Sequence, residues 1–245
     1  MTPLSTFDKG RLTFSEHLDE LRRRIFTSLA AVGVCTIAGC VFSEPALRFF
    51  IAPLKDIAGA VYFFSPQEAF IVRIKVALIL GIAGALPVIL SQLWLFVAPG
   101  LRGPEKHAFL PLVAVTTFLF LCGGAFCFFL VMPVALKFLM GMQTAYLLPM
   151  ISVGEYVGFL ASMMFAFGVS FNLPVFLLAL TASGAVKPET LSKHRRHAIL
   201  IIVVAAAILT PGPDVASQML LALPLYVLFE ASVFASYAVV RGKRP

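Results

Sequence analysis

Charged residues are scarce in this 245-residue sequence: Asp, Glu, Lys and Arg make up 13% of it, whereas apolar residues make up 60%. A soluble domain of this size would have to leave much of that apolar surface in water, so the composition excludes one. The mean hydropathy of +0.97 indicates the same. A lipid bilayer is therefore the expected solvent, and the lengths of uncharged segments become the main guide to the fold.

Cysteine and histidine are also scarce, with four of each. The cysteines form two pairs inside apolar runs, and their spacing matches no familiar zinc motif: Cys35, Cys40, Cys122 and Cys127. We expect them to be reduced and inert. All four histidines lie near the predicted cytoplasmic surface, which leaves no catalytic set at membrane depth for an intramembrane enzyme. The sequence predicts no enzymatic activity, no metal site and no cofactor.

Four charge-free segments are long enough to cross a bilayer as helices. They lie between residues 24 and 44, 75 and 102, 107 and 137, and 155 and 187. Since a helix rises about 1.5 Å per residue, even the shortest would be about 28 Å long, close to a hydrocarbon core of about 30 Å. A further apolar region, 198–240, is too long for one span. A Pro-Gly-Pro turn at 211–213 divides it into a hairpin whose first arm is short.

The predicted fold is an all-α integral membrane protein with six transmembrane helices in a single domain, residues 1–245. A cytoplasmic amphipathic N-terminus at 1–24 precedes the six helices. We expect the spans at approximately 25–43, 70–95, 108–132, 155–180, 197–211 and 215–238. The outer segments at 43–67 and 132–154 contain several prolines, which favour turns.

The distribution of basic residues predicts the orientation. Fourteen Lys and Arg residues fall in the segments on the side of the two termini, and five fall on the opposite side. Since basic residues are retained in the cytoplasm, both termini are predicted to be cytoplasmic. The net charge of +7 is explained by this clustering between apolar runs, and no nucleic-acid binding is predicted.

The first cytoplasmic stretch with candidate functional residues, 13–24, is typical of a capped amphipathic helix. Thr13 and Glu16 form a capping box. The helix is expected to lie on the inner leaflet before it enters the first span. Glu20 precedes Arg24 by four residues, so an ordinary ion pair along the helix remains an open interpretation of this carboxylate.

The second stretch, 94–106, connects the second and third spans. Pro104 followed by Glu105 fits an ordinary helix start, with a carboxylate near the positive end of the helix dipole. Trp94 and Phe96 fit an aromatic belt at the membrane surface. Both interpretations stay open beside a functional one.

Four segments, in order along the chain, resemble the TatC family of twin-arginine protein translocase subunits. They are residues 17–24 (HLDELRRR), 94–105 (WLFVAPGLRGPE), 167–175 (FGVSFNLPV) and 210–224 (TPGPDVASQMLLALP). The resemblance implies a concave bundle in the bacterial inner membrane that receives twin-arginine signal peptides. It also implies assembly with the single-span proteins TatA and TatB, oligomerisation within that complex, and export of folded proteins driven by the proton motive force.

The resemblance also implies two sets of site residues. The signal-peptide set comprises Glu20, Glu105, Phe96, Arg22 and Leu101. The set for TatA and TatB interaction and transport comprises Gln218, Asp214, Asn172, Glu230 and Pro53. Carboxylates suit the first role because they accept bidentate, charge-assisted hydrogen bonds from guanidinium groups.

Several of these residues keep a second interpretation. The family often has glutamate where this chain has Asn172, and a neutral amide carries no charge and does not titrate. Asn172 also fits a cap on carbonyls that Pro174 leaves unpaired, and Asp214 fits an N-cap of the last span. Glu230 fits a side chain that snorkels to the inner interface, and Pro53 fits a turn.

A secondary transporter for a small solute is the alternative function. Such a protein needs a polar site at mid-membrane depth, usually between repeated halves. Asn172 beside Pro174 is the only candidate for that site, and the sequence shows no convincing repeat.

Overall fold

The computed structural model describes residues 14–59, 61–97, 109–141, 150–182, 186, 188–209 and 215–242. Almost all of this part of the chain is helical. The helices are α1 (Phe14–Val41), α2 (Ser43–Ala58), α3 (Pro66–Val97), α4 (Phe109–Phe126), α5 (Met132–Met140), α6 (Val153–Phe171), α7 (Leu173–Ala182), α8 (Pro188–Lys193), α9 (Arg195–Leu209) and α10 (Val215–Gly242). One π-helical turn, Cys127–Val131, joins α4 to α5.

Five helical stretches in the described part are long and apolar enough to cross a membrane. They are Leu18–Val41, Pro66–Phe96, Phe109–Met140, Val153–Thr181 and Gln218–Tyr237. The predicted all-α membrane fold is therefore confirmed. The predicted fifth span, 197–211, corresponds to α9, which has 15 residues. Its length of about 22 Å explains why it is absent from this set.

The first outer segment is a helix, and the prediction of turns there is wrong. Pro53 lies inside α2, and Pro45 lies in its first turn, where a missing backbone N–H costs nothing. Tertiary packing holds the helix in spite of Pro53. Phe50 and Leu54 are buried, and they pack with Val72 of α3.

The second outer segment is also helical at its start, because the helix that contains the predicted third span continues beyond residue 132. Pro133 stands at the beginning of α5, a position that does not need its N–H. The π-helical turn before it accommodates one extra residue per turn and lets the helix continue. The helical stretch ends only at Met140.

The predicted fourth span, 155–180, is not one continuous helix. It is interrupted at Asn172, which separates α6 from α7. Asn172 Nδ2 donates to the Gly168 carbonyl at 2.9 Å, so the side chain caps the last turn of α6. The carbonyl that Pro174 deprives of its usual donor is that of Ser170, two residues further along. Pro174 follows, and it cannot donate to the turn before it.

Close backbone approach brings α1 against α3. A Cβ atom at Gly39 would lie 2.8 Å from the Ala77 carbonyl oxygen, and one at Gly81 would clash with Thr36 Oγ1. Small residues at such contacts allow two helices to pack in lipid, where no hydrophobic force drives them together. Only 6% of the most apolar 18-residue stretch of α1 is buried inside the protein. Most of the surface of this helix is therefore available to lipid.

Helix α6 lies between two buried clusters and connects them. One cluster joins α6 to the π-helical turn, α9 and α10, and includes Met163, Phe167 and Leu221. The other joins α6 to α2, α3 and α5, and includes Val157 and Leu54. The π-helical turn also belongs to both clusters, through Cys127 and Val131 in the first and Phe128 in the second.

Helices α9 and α10 are antiparallel neighbours. Gln218, near the start of α10, donates to the Val203 carbonyl at 3.0 Å. Glu230, further along α10, accepts from Arg195 Nη2 at 2.9 Å, at the first residue of α9. Moving along α10 from Gln218 to Glu230, the partner on α9 moves backwards from Val203 to Arg195. The two helices are therefore antiparallel, as the predicted helical hairpin requires.

A buried hydrogen bond joins α6 to α2 at the outer side. Tyr156 is 3% exposed, and its hydroxyl donates to the Phe50 carbonyl at 2.8 Å. Within α2, the usual donor to the Phe50 carbonyl is the backbone N–H of Leu54, four residues later. The Tyr156 hydroxyl reaches the same carbonyl from another helix.

We expect Tyr156→Phe to lower the free energy of unfolding by about 1 kcal/mol, the net worth of one hydrogen bond. Thermal unfolding of the purified protein in detergent measures it. Tyr62→Phe is the matched control, because Tyr62 is 44% exposed and its backbone, not its hydroxyl, contacts residues 151 and 153. Equal melting temperatures for Tyr156→Phe and the control would show that the buried bond contributes nothing.

Candidate functional site between α1 and α3

A groove lies between the start of the first span and the end of the second. We call it the cytoplasmic groove after the orientation predicted from the sequence, and its volume is about 320 Å³. Its lining comprises Leu21, Arg24, Ile25, Ser28, Leu29 and Val32 of α1 and Ile89, Gln92, Leu93 and Phe96 of α3. From Leu21 to Val32 it follows about 16 Å of helix. Its walls are mostly apolar, and Arg24 is the one cation among the lining residues.

Glu20 is held at this groove through Arg24. Both Nε and Nη2 of Arg24 donate to Glu20 Oε1, the first at 3.1 Å. The Glu20 side chain is 27% exposed and that of Arg24 is 19% exposed, so water still reaches the carboxylate. The i,i+4 ion pair that the sequence suggests as one interpretation therefore forms. It leaves the carboxylate partly occupied by a guanidinium of the chain itself.

Phe96 lines the same groove as Arg24. The structure therefore brings residues of the motif at 17–24 and of the motif at 94–105 together at this groove. Arg22 lies elsewhere. Its guanidinium carbon is 5.7 Å from the ring centroid of Phe26, on an exposed concave surface that also includes Asp19 and Arg23. Arg22 is therefore not part of the cytoplasmic groove.

Trp94 does not belong to an aromatic belt. It is 5% exposed, and its Nε1 donates to Thr116 Oγ1 at 3.3 Å, which joins α3 to α4. This bond fixes the rotation of the C-terminal end of α3, two residues before Phe96. The belt interpretation is thus wrong for Trp94, because its polar atom finds a partner inside the protein.

Three predicted site residues lie outside the described residues: Leu101, Glu105 and Asp214. They fall in the segment between α3 and α4 and in the segment between α9 and α10. Glu105 follows the last described residue of α3, Val97, by eight positions in the sequence.

Four other predicted site residues have defined surroundings and are not brought together with the cytoplasmic groove. Asn172 Oδ1 is buried and has no hydrogen-bond partner in the described part of the chain. Gln218 is used in the contact between α9 and α10. Glu230 accepts from Arg195 and also from the Tyr226 hydroxyl at 3.1 Å, and Pro53 lines an outer groove that also includes Lys137.

The α1 side of the groove is not among the residues predicted from the sequence. Leu21, Ile25, Ser28 and Val32 line it. They recur at intervals of three and four residues, so they share one helix face. That signal is readable, but in a transmembrane segment every face is apolar. The pattern therefore does not distinguish a groove from a lipid-facing surface.

A second unpredicted arrangement lies at the outer end of α3. Glu68 Oε2 accepts from the Phe64 N–H at 2.7 Å, and Glu68 Oε1 accepts from the Gly154 N–H at 2.8 Å and from the Ser152 hydroxyl. One carboxylate thus caps the beginnings of both α3 and α6. The Ser-x-x-Glu spacing at 65–68 is a capping-box signal for α3. No local pattern indicates the contact with α6.

Comparisons with known proteins give one family. The family model for the Sec-independent protein translocase protein TatC matches residues 16–224. The Sec-independent protein translocase protein TatC of Carboxydothermus hydrogenoformans is 38% identical over 91% of this chain and 92% of its own length. That of Aquifex aeolicus is 36% identical over 95% and 98%. A crystal structure of a twin-arginine translocase receptor TatC, 36% identical, superposes with a TM-score of 0.82 over 92% of this chain and 100% of that one.

Proposed function

Since this chain belongs to the TatC family of Sec-independent protein translocase proteins, we propose that its cytoplasmic face binds the twin-arginine signal peptides of folded precursors. As a TatC protein it is a membrane receptor subunit of the twin-arginine translocase and not an enzyme. The secondary-transporter alternative is not favoured, because the relatives and the similar structure named above are translocase proteins.

The cytoplasmic groove supports this proposal most directly. Signal peptides carry a charged region followed by an apolar stretch of about 7–15 residues. A groove with about 16 Å of mostly apolar wall, beside the ion pair of Glu20 and Arg24, fits both parts in that order. The apolar stretch would lie along Ile25 and Leu93, and the arginine pair would remain at the level of Glu20 and Phe96.

The arginine pair would be bound by the carboxylates of Glu20 and Glu105. A guanidinium accepts no hydrogen bond and donates in a planar fork that matches a carboxylate. Phe96 offers a ring face on which an arginine can stack. Leu101 and Arg22 are included in the proposed site by their places in the two cytoplasmic motifs; Arg22 would act from the neighbouring surface that it shares with Phe26.

Arg24 forms an ion pair with Glu20, so a peptide guanidinium would compete with Arg24 for this carboxylate, which gives the proposal a specific test. We expect Glu20→Gln to weaken binding of a fluorescent twin-arginine peptide about tenfold, because a charge-assisted hydrogen bond is lost. We expect Arg24→Gln to strengthen binding about threefold, because a competing surface ion pair is removed. Fluorescence anisotropy of the peptide with the purified protein in detergent measures both.

The matched control is Glu44→Gln, since Glu44 and Arg48 form another i,i+4 pair, in α2. That variant should leave the peptide affinity unchanged. If Arg24→Gln and Glu20→Gln both bind the peptide as the wild type does, the pair only stabilises α1 and Glu20 is not a ligand.

We further propose the six-span topology in the bacterial inner membrane, with both termini in the cytoplasm. Helix α9, with 15 residues, would be the fifth span. It is short for a bilayer, so the membrane would thin beside it or the turn after Leu209 would lie below the outer surface. Arg195 and Glu230, which form an ion pair, would then lie together at the cytoplasmic interface, where charges are less costly than at mid-membrane depth.

Assembly with TatA and TatB, and oligomerisation in that complex, would use polar features of α6 to α10 and the outer surface. Asn172 has a buried acceptor that a donor on an incoming helix would satisfy. Gln218 offers an amide near the outer end of α10, four residues after Asp214 in the preceding turn. Glu230 would contribute to the same assembly at the cytoplasmic interface, and Pro53 would contribute at the outer surface.

A further inference from the structure

Two cavities meet at Lys75 on the outer half of the protein. The first, which we call the outer cavity, has a volume of about 710 Å³ and is lined by Glu68, Glu155 and Lys75 among others. The second, which we call the lateral groove, has a volume of about 430 Å³ and lies between α3, α4 and α6. Lys75 lines both, so a charged chamber continues into an apolar one at this residue.

Two glycines of α6 make room for the charged groups. The Lys75 ammonium donates to the Gly154 carbonyl at 3.2 Å, and a Cβ atom at Gly158 would lie 3.5 Å from Nζ. A Cβ atom at Gly154 would lie 2.8 Å from Glu68 Oε1. Larger residues on this face of α6 would therefore crowd both side chains.

The depth of Lys75 suits the phosphate level of a bilayer. Helix α3 has 32 residues. Its length of about 48 Å exceeds a hydrocarbon core of about 30 Å by about 9 Å at each end. Lys75 lies nine positions after Pro66, or about 14 Å below the outer end. Its backbone is thus about 5 Å inside the hydrocarbon, and its long side chain can reach the phosphate level.

The three chemical environments follow the order of a phospholipid from head to tail. Carboxylates lie in the outer cavity, near the first turns of α3 and α6; the Lys75 ammonium lies below them; the lateral groove is lined by apolar side chains, including Leu78, Ile82, Leu86 and Phe165. Glu68 already accepts three hydrogen bonds from protein donors. Glu155 is exposed in the outer cavity and is the carboxylate placed to accept from a ligand.

We propose that the outer cavity and the lateral groove bind one phospholipid with an aminoethyl head, a phosphatidylethanolamine. Lys75 binds its phosphate, Glu155 binds its ammonium, and an acyl chain fills the lateral groove. An anionic lipid without an amine is disfavoured, because its head brings no positive charge to balance the carboxylates of Glu68 and Glu155. This site uses none of the cytoplasmic residues assigned to signal peptides.

Native mass spectrometry of the purified protein in detergent tests the site. The protein is mixed with equal amounts of phosphatidylethanolamine, phosphatidylglycerol and phosphatidylcholine that carry the same acyl chains. We expect the wild type to retain phosphatidylethanolamine preferentially. Lys75→Gln should retain it about tenfold less, because one charge-assisted hydrogen bond is lost, and Lys75→Arg should retain it nearly as well as the wild type.

Arg73→Gln is the matched control on the same helix. Arg73 is exposed and lies 4.0 Å from Glu44, away from both cavities. A hydrogen bond from Arg48, helped by the charges of Arg48 and Arg73, lowers the pKa of Glu44. The control therefore removes an outer cation that pairs with a carboxylate, and it should leave lipid retention unchanged.

Two further variants separate the head from the tail. Glu155→Gln should remove the preference for phosphatidylethanolamine over phosphatidylcholine, whose quaternary ammonium cannot donate a hydrogen bond. Ala161→Trp should fill the lateral groove and reduce retention with both charged residues intact. Equal retention by wild type and Lys75→Gln, equal loss in Arg73→Gln, or a preference for phosphatidylglycerol would overturn the proposal. Twin-arginine peptide binding by the same samples reports on the proposed function separately.

Discussion

Replacing Glu105 by alanine is expected to abolish crosslinking of a twin-arginine peptide to the cytoplasmic face, and Glu105→Gln is expected to weaken it less. A carboxylate that binds an arginine in fork geometry contributes two charge-assisted hydrogen bonds, so its loss should reduce affinity about a hundredfold. Glutamine keeps the shape and one acceptor but loses the charge. The measurement is the crosslinked fraction as a function of peptide concentration, with a photoreactive group beside the arginine pair.

Glu189→Gln is a suitable control for this experiment, because Glu189 is an exposed carboxylate at the beginning of α8, in the other predicted cytoplasmic connection. It should leave crosslinking unchanged. Unaltered crosslinking in Glu105→Ala would remove Glu105 from the site, and equal loss in Glu189→Gln would point to a general effect of negative charge.

The second large effect is expected at Gly123, where α4 meets the backbone of α6. A Cβ atom there would lie 2.5 Å from the Phe167 carbonyl oxygen and 2.9 Å from the Phe167 carbonyl carbon. Backbone atoms cannot turn aside as a flexible side chain can, so Gly123→Ala must push the two helices apart. Overpacking of this kind costs about 1–3 kcal/mol. The melting temperature of the purified protein in detergent should fall accordingly.

Gly33→Ala is the matched control for this substitution. Gly33 lies on the exposed side of α1, and a Cβ atom there meets nothing within 4 Å. Since alanine favours a helix over glycine, that variant should be neutral or stabilised by up to about 1 kcal/mol. A fall in melting temperature as large for Gly33→Ala as for Gly123→Ala would contradict the packing argument.

The membrane-spanning helices are well predicted from the sequence because their signal is additive. A long uncharged run such as 76–101 or 156–186 has few alternatives to a transmembrane helix, whatever its neighbours are. The charge asymmetry predicts an orientation in the same way, from sums over whole segments. The i,i+4 pairing of Glu20 with Arg24 is also predictable, because it depends on helix geometry alone.

Prolines are the main source of error. Pro53 and Pro133 suggest turns in the sequence, yet both lie in helices. A proline inside a helix is costly, and burial of a face such as that of Phe50 and Leu54 offsets the cost. Burial of that kind depends on distant residues, including Val72, which no local pattern indicates.

Tertiary contacts also decide the roles of polar side chains. Trp94 looks suited to the membrane surface, but Thr116 on α4 provides its partner. Lys75 counts in the sequence only as one of five outer cations, whereas the structure places it between two cavities. In each case the deciding neighbour lies on another helix, and the sequence does not say which helices are adjacent.

Recognition of the guanidinium fork would distinguish the proposed receptor site from a merely acidic surface. Lysine keeps the positive charge but lacks the fork, so a leader with two lysines should bind poorly. The most direct measurement is co-purification of the detergent-solubilised protein with a folded precursor, carrying either the arginine pair or two lysines in its leader. We predict retention of the first and loss of the second; equal retention of both would contradict the account.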